Sequence, residues 1–255
     1  MDLYFQGKAL IYKGWTVEHF AQARRIFEVA LALDPKNVEA MVWTATVDTM
    51  VSGTYMTDDR ATLLARAETT LVEVLSVTPN HAFAHLILGA VQIATNRALQ
   101  GIAECERALA LDHNLAEAHV QIGTGKYYMG HGGELEAHVN EAFRLSPRDV
   151  FAFRWLFMLG FAKLQLDANG EAVDWFHRSI EANRNFSLTH FALAAALALS
   201  GSLDQAKAVA KTGLALDPRF TIRRYRNGAP SDYPAYIAKR ERIYEGMRMA
   251  GVPEG

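Results

Sequence analysis

Small and large apolar residues recur along this chain at helical spacing. Small-then-large pairs stand four apart at Ala23/Phe27, Ala67/Leu71 and Ala172/Phe176, and further small residues follow at Ala30, Ala108, Ala142 and Ser179. Two helices approach closely only where small side chains leave room for a neighbour's ridge, so the pattern predicts tightly paired helices. A turn motif punctuates the pairs. It reads Leu33-Asp34-Pro35, Val77-Thr78-Pro79, Leu145-Ser146-Pro147 and Leu216-Asp217-Pro218, with degenerate copies at Leu111-Asp112-His113-Asn114 and Ala182-Asn183-Arg184-Asn185. Counted at positions 35, 79, 113, 147, 184 and 218, the steps are 44, 34, 34, 37 and 34 residues.

This punctuation predicts helices over 8–14 and 17–33. Pairs follow over 38–51/61–77, 82–95/98–111, 116–129/133–145, 150–166/170–182 and 187–199/203–216. The ten extra residues of the first step fall in 52–60, an extended loop in which Thr57 or Asp58 is placed to cap the next helix. The three extra residues of the longer late step fall near 164–170, as a lengthened first helix. After Pro218 the repeat stops. Ser231-Asp232-Tyr233-Pro234 then opens a last helix with a cap residue and an early proline. Its apolar stripe comprises Tyr233, Tyr236, Ile237, Ile243, Tyr244 and Met247, and such a stripe must be buried on something. The uncovered helix 203–216 is the nearest acceptor. The last helix is therefore expected to dock there as a cap, with Lys239, Arg240, Arg242 and Glu245 on its remaining circumference.

A 34-residue period with one helix-turn-helix per step is that of the tetratricopeptide (TPR) family. Leu88-Gly89 and Ile122-Gly123 occupy equivalent points of two repeats, and Ala45 and Ala194 fill the glycine slot in two others. The chain resembles this family. The resemblance implies an all-α fold: a right-handed helical-hairpin solenoid of about five and a half repeats plus a C-terminal capping helix. His85, His119 and His190 stand where the family prefers tryptophan. The stretches 178–185, 214–224 and 246–255 also resemble TPR regions that close rhizobial multidomain proteins. Many of those begin with a class III adenylate/guanylate cyclase domain, and others with a DNA-binding domain. Leu3-Tyr4-Phe5-Gln6-Gly7 looks like the remnant of a cleavable expression tag. The organisation expected is thus 1–7 tag remnant, 8–222 repeat array and 223–255 linker and capping helix, within a longer natural protein.

Composition narrows the function. The 255 residues carry 26 basic and 28 acidic side chains, a net charge of -2, which gives no whole-molecule footprint for nucleic acid or an anionic membrane. No run of 18 apolar residues occurs, so no membrane insertion is expected. A single cysteine excludes an internal disulfide framework. Walker, dinucleotide-binding, G-x-S-x-G and H-E-x-x-H motifs are absent, so the chain is expected not to be an enzyme and to need no cofactor. Gly130-His131-Gly132-Gly133 falls between two helices and reads as a helix-ending turn. His81/His85 and Glu134/His138 share helix faces, but spacing supplies no third ligand, so the histidines are assigned to packing and no metal site is expected. Cys105 occupies a large-residue slot and reads as buried filler. From Asp217 onward eight basic residues outnumber five acidic ones, a surface for acidic neighbours or a partner domain.

What remains is binding. The family's concave groove slots fall on Phe83 and Leu86, on Glu117, Val120, Tyr127 and Tyr128, on Phe151, Arg154, Met158 and Phe161, and on Phe191. Such an apolar, aromatic groove suits a protein or peptide partner, or another domain of the same polypeptide. Glu117 and Arg154 would orient that partner, and truncating Tyr128 or Phe161 would weaken binding with the helices intact. The expected role is a regulatory interaction module of a bacterial, cytoplasmic nucleotide-cyclase signalling protein. Self-association as a homo-oligomer, and a small-ligand sensor domain of a transcriptional regulator, stand as alternatives. A closed cavity lined by Tyr127, Tyr128 and Phe161 would favour the sensor, and the C-terminal segment could itself fold inward to fill the groove.

Overall fold

The computed structural model describes residues 3–55 and 57–255. Fourteen α-helices follow one another among them, with no strand. Six antiparallel hairpins form the array: α1 (Leu3–Lys13) with α2 (Val17–Leu33), α3 (Val38–Ser52) with α4 (Arg60–Val77), α5 (Ala82–Ala94) with α6 (Ala98–Leu111), α7 (Ala116–Tyr128) with α8 (Leu135–Leu145), α9 (Ala152–Gln165) with α10 (Asn169–Ala182), and α11 (Ser187–Leu199) with α12 (Leu203–Leu216). A short α13 (Ile222–Asn227) and a longer α14 (Pro234–Met249) make up a C-terminal arm. The all-α solenoid expected from the repeat is therefore what the chain forms.

The turns between hairpins explain why the degenerate punctuation works. Asp34 accepts a hydrogen bond from the Lys36 N–H at 3.3 Å. Asp112 accepts from Asn114 and Asn183 from Asn185, each at 3.0 Å, so the same turn closes where proline is missing. The turns within hairpins share another device. Asn96, Gly130, Asp167 and Gly201 all have positive φ, at 62°, 92°, 62° and 87°. The residue after each donates its N–H to a carbonyl five positions back, from Arg97 to Gln92, His131 to Lys126, Ala168 to Lys163 and Ser202 to Leu197. These are Schellman-type helix ends, and the Gly130 turn expected from sequence is one of them.

Four boundaries differ from expectation. The first helix begins at Leu3, inside the segment that resembles a tag, and Tyr4 packs edge-on to Trp43. The cap before α4 is Asp59, without a side-chain bond, while Thr57 accepts the Asp59 N–H at 3.1 Å. The late insertion lies mainly before α9 rather than after it: α9 starts five residues after Pro147, whereas α5 starts three after Pro79. The fourth concerns the cap. α14 packs chiefly on α11 and reaches α9, with only a lesser contact to α12. The reason is steric. Alanines 192, 195 and 196 share one side of α11 and leave it flat, and Gly246 of α14 sits directly on the Ala195 backbone. α14 therefore buries Tyr236, Ile243, Tyr244 and Met247 but leaves Tyr233 and Ile237 partly exposed. Arg240, expected on its outer circumference, is buried with the stripe.

The arm follows the row of Schellman turns. Asn96 donates its N–H to Pro230 O at 3.0 Å, and its side chain accepts the Asp232 N–H at 3.1 Å. Ala235 packs against Gly130, where an added Cβ would come within 2.8 Å of it. Asp167 pairs with Lys239 at 2.6 Å and with Arg242. Two of these left-handed positions are not glycine because their side chains hold the arm. The opposite end also closes. Trp15, between α1 and α2, meets Phe151, Phe153 and Phe186 with ring centroids 5.6, 5.7 and 6.3 Å away. The extended loop before α4 joins the arm through Asp58–Arg224 at 2.9 Å and Tyr55 Oη to Gly228 O at 3.0 Å. The first hairpin thus touches the fifth and sixth, and the concave face is narrowed to a partly open chamber.

Candidate functional site

The first helices α3, α5, α7 and α9 turn their inner faces onto a chamber of about 300 Å³. Ten of the eleven residues placed in the groove by sequence line it: Phe83 and Leu86; Glu117, Val120, Tyr127 and Tyr128; Phe151, Arg154, Met158 and Phe161. Phe191 does not. Its ring stacks on Phe220 at 3.8 Å and 9°, sealed in the core behind α11. The Phe191 ring lies against Gly213 of α12, on the hairpin side of α11, so this slot does not face the chamber. Leu86, Val120, Tyr127 and Phe161 are themselves buried, each 4% exposed or less, and form walls rather than free contacts. Phe161 packs on Phe157 and Phe176, which makes it core as much as lining.

Sequence reasoning missed the two ends of the chamber. At one, Tyr12 and Trp15 reach across from the first hairpin. Arg154 lies 4.8 Å over the Trp15 ring and 3.4 Å from Glu117. Glu117 also accepts from Gln121 and from Trp155 Nε1, both at 2.8 Å. The two charges expected to orient a partner are thus paired with each other. The buried Trp15 Nε1 finds no acceptor among the described residues.

At the other end stand Tyr55 and Arg60 from the extended loop, and Tyr225, Pro230 and Arg240 from the arm. Arg240 donates to the hydroxyls of Tyr244 and Tyr236 and, at 3.0 Å, to Tyr225 O. Its guanidinium also lies 4.2 Å over the Tyr225 ring. Burial pushes the Tyr127, Tyr225 and Tyr236 phenols up, and Tyr128 to about 12. Tyr55 goes the other way: burial opposes its ionisation, but Arg60 and Arg240 outweigh that and lower its pKa. A signal for this cluster was present in the sequence. Tyr236, Arg240 and Tyr244 stand four apart on one helix, a charge in the middle of an apolar stripe.

His85 and His190 have structural partners. His85 joins Glu104 at 2.6 Å and the Pro79 carbonyl at 2.9 Å. His190 joins the Arg184 carbonyl at 2.9 Å. In the slot where the family carries tryptophan, both fasten a helix start to the preceding turn six residues back. No cluster of three or more His, Cys, Asp or Glu among the described residues is arranged to hold a metal ion. Cys105 is buried against Gly89, and burial pushes its thiol well above the usual range. No helix of the described residues is long and apolar enough to cross a membrane.

Neither a protein-family model nor a curated protein matches the sequence. Solved structures do. The crystal structure of a tetratricopeptide repeat protein from Parabacteroides merdae is 13% identical, covers 98% of this chain and 83% of its own, and superposes with a TM-score of 0.63. The APC/C hetero-tetramer Cut9–Hcn1 gives 17% identity and a TM-score of 0.67 over 82% of this chain and 39% of the other, so the chain spans well under half of that protein. A monomeric IFIT1 mutant with m7Gppp-AAAA gives 16% identity and a TM-score of 0.71 over 95% of this chain and 58% of the other. At these identities the likeness establishes architecture: the chain has the fold of a tetratricopeptide helical-hairpin solenoid.

Proposed function

We propose that this chain is a non-catalytic interaction module of the sensing kind. A small molecule held in the chamber governs how the solenoid engages a protein partner or a neighbouring domain of its own polypeptide. One observation carries this reading. The groove that an open array offers to a peptide is closed at one end by the arm, whose Tyr225, Pro230 and Arg240 line what remains. The space left, about 300 Å³, lies at the lower end of the small-molecule range and is walled by aromatic rings with a few polar groups. The same fold serves protein assembly elsewhere, since Cut9 occurs in a hetero-tetramer with Hcn1. The resemblance of the C-terminal stretches to regions that close bacterial class III cyclases supports a place at the regulatory end of such a cytoplasmic signalling protein.

The test is to plug the chamber. Ala90 lines it, and Ala90→Trp would fill it. Small molecules that raise the melting temperature of the parent chain are expected to lose that effect on the plugged variant, with its helical circular dichroism unchanged. A ligand response that survives the plug would place binding elsewhere and overturn the reading.

A further inference from the structure

The charges around the chamber are unevenly matched. Five charged side chains line it: Arg60, Arg154, Arg240, Glu117 and Asp149. At the Trp15 end Arg154 pairs with Glu117, while Asp149 is held by neutral donors, the Ser146 hydroxyl and the Phe151 N–H, so that end carries a negative excess. At the arm end the excess is positive. Arg240 is 4% exposed, and its partners carry no carboxylate: it donates to the Tyr236 and Tyr244 hydroxyls and the Tyr225 carbonyl, and it also acts on the Tyr55 hydroxyl. Arg60 donates to the Ser52 carbonyl at 2.8 Å and lies 4.2 Å over the Tyr55 ring. Neither arginine forms an ion pair with a carboxylate of the described residues. Tyr55 does not supply the missing anion either, since its hydroxyl donates to Gly228 O as a phenol.

A buried cation without a counter-charge is costly, and proteins normally pair it. Here two arginines flank one end of a cavity, and their field is strong enough to lower the Tyr55 phenol against its own burial. A bound anion would supply the charge that the protein withholds. The rest of the wall asks for something flat and apolar, since Trp43, Phe83, Tyr128, Phe151 and Met158 surround the remaining volume. Resting on the sensor reading, we propose that the Arg60–Arg240 end of the chamber recognises the carboxylate of a small aromatic acid. The ring is held between the first helices, and the head group lies at the arginine end of the chamber, beside the Tyr55 hydroxyl on which both guanidiniums act.

Three probes of one shape and different charge test this: 1-naphthylacetate, its isosteric amide, and 1-naphthylmethylammonium. Each is titrated against the full chain by calorimetry, and against Arg60→Gln and Arg240→Gln. The acid should bind at least about tenfold more tightly than the amide, and the cation should not bind. Both variants should erase the preference of acid over amide while leaving amide binding in place. Because Arg240 also anchors three groups of the arm, its variant could lose structure. Arg60 is half-buried and among the described residues touches only the Ser52 carbonyl and Tyr55, outside the Arg240 cluster of the arm, so its variant decides the matter alone. Equal binding of acid and amide would overturn the anion site and leave the chamber standing. A preference that survives Arg60→Gln would overturn it too, by placing the carboxylate elsewhere. If no probe binds and the plugged variant behaves like the parent, the sensor reading itself fails.

Discussion

The Tyr236 ring meets Tyr127 edge-on, with centroids 5.6 Å apart and planes at 85°. Through this contact the last helix is packed behind Tyr127, a residue of the fourth hairpin that lines the chamber. The Tyr236 hydroxyl also accepts from Arg240. Tyr236→Ala is expected to cost about 3–5 kcal/mol for the lost buried ring. Tyr236→Phe keeps the ring but strands a buried donor, and should cost about 1–3 kcal/mol. Urea unfolding of the two variants checks the order; equal costs would mean that the hydrogen bond, not the ring, holds the arm.

Gly246 tests the seat of that arm. A Cβ there would lie 2.7 Å from Ala195 O and 3.0 Å from its Cα, and a backbone cannot step aside as a side-chain end can. Gly246→Ala should therefore destabilise by about 1–3 kcal/mol through overpacking. Gly133→Ala, with nothing within 4 Å of the added carbon, is the matched control and should leave the melting temperature nearly unchanged.

Phe161 and Tyr128 were expected to behave alike, as groove contacts dispensable for folding. Their burial separates them. Phe161 is 4% exposed and wedged between Phe157 and Phe176, so Phe161→Ala should cost about 3–5 kcal/mol of stability. Tyr128 is half-buried at the chamber wall, and its truncation should cost less while enlarging the cavity. Chemical denaturation of both variants, read by circular dichroism, distinguishes core from lining.

Glu68 and Arg97 tie α4 to the turn before α6 through a bidentate pair at 2.6 and 2.7 Å. The hydrogen bonds from Arg97 hold the Glu68 carboxyl below its ordinary pKa. A depressed folded pKa contributes stability that is complete above the unfolded carboxylate value and is lost as pH falls through the lower folded value. Both side chains are about a third exposed, so the contribution should stay below about 1 kcal/mol. The melting-temperature difference between the parent and Glu68→Gln should be flat near neutrality and shrink from about pH 5 downward. A difference that grows on acidification would contradict the pairing.

Much of the hairpin architecture was legible in the residues alone. Asp34, Asp112 and Asn183 write the inter-hairpin turn locally, by bonding the backbone two residues on, so spacing along the chain suffices to find it. The same holds for the small residues that let paired helices approach, and for the ten groove positions, which follow from helical period and repeat register. What the arm does was decided elsewhere. An apolar stripe states that a helix must be buried and not where, and both α11 and α12 were available to take it. The seat of Gly246 on Ala195, the docking side chains of Asn96 and Asp167, and the reach of Trp15 to Phe151 act between residues tens to hundreds of positions apart. Periodicity carries no information about such pairs, because each depends on how far the array curls. That curl converts a groove into a chamber and leaves Arg240 inside it, and it exists only once all six hairpins have stacked.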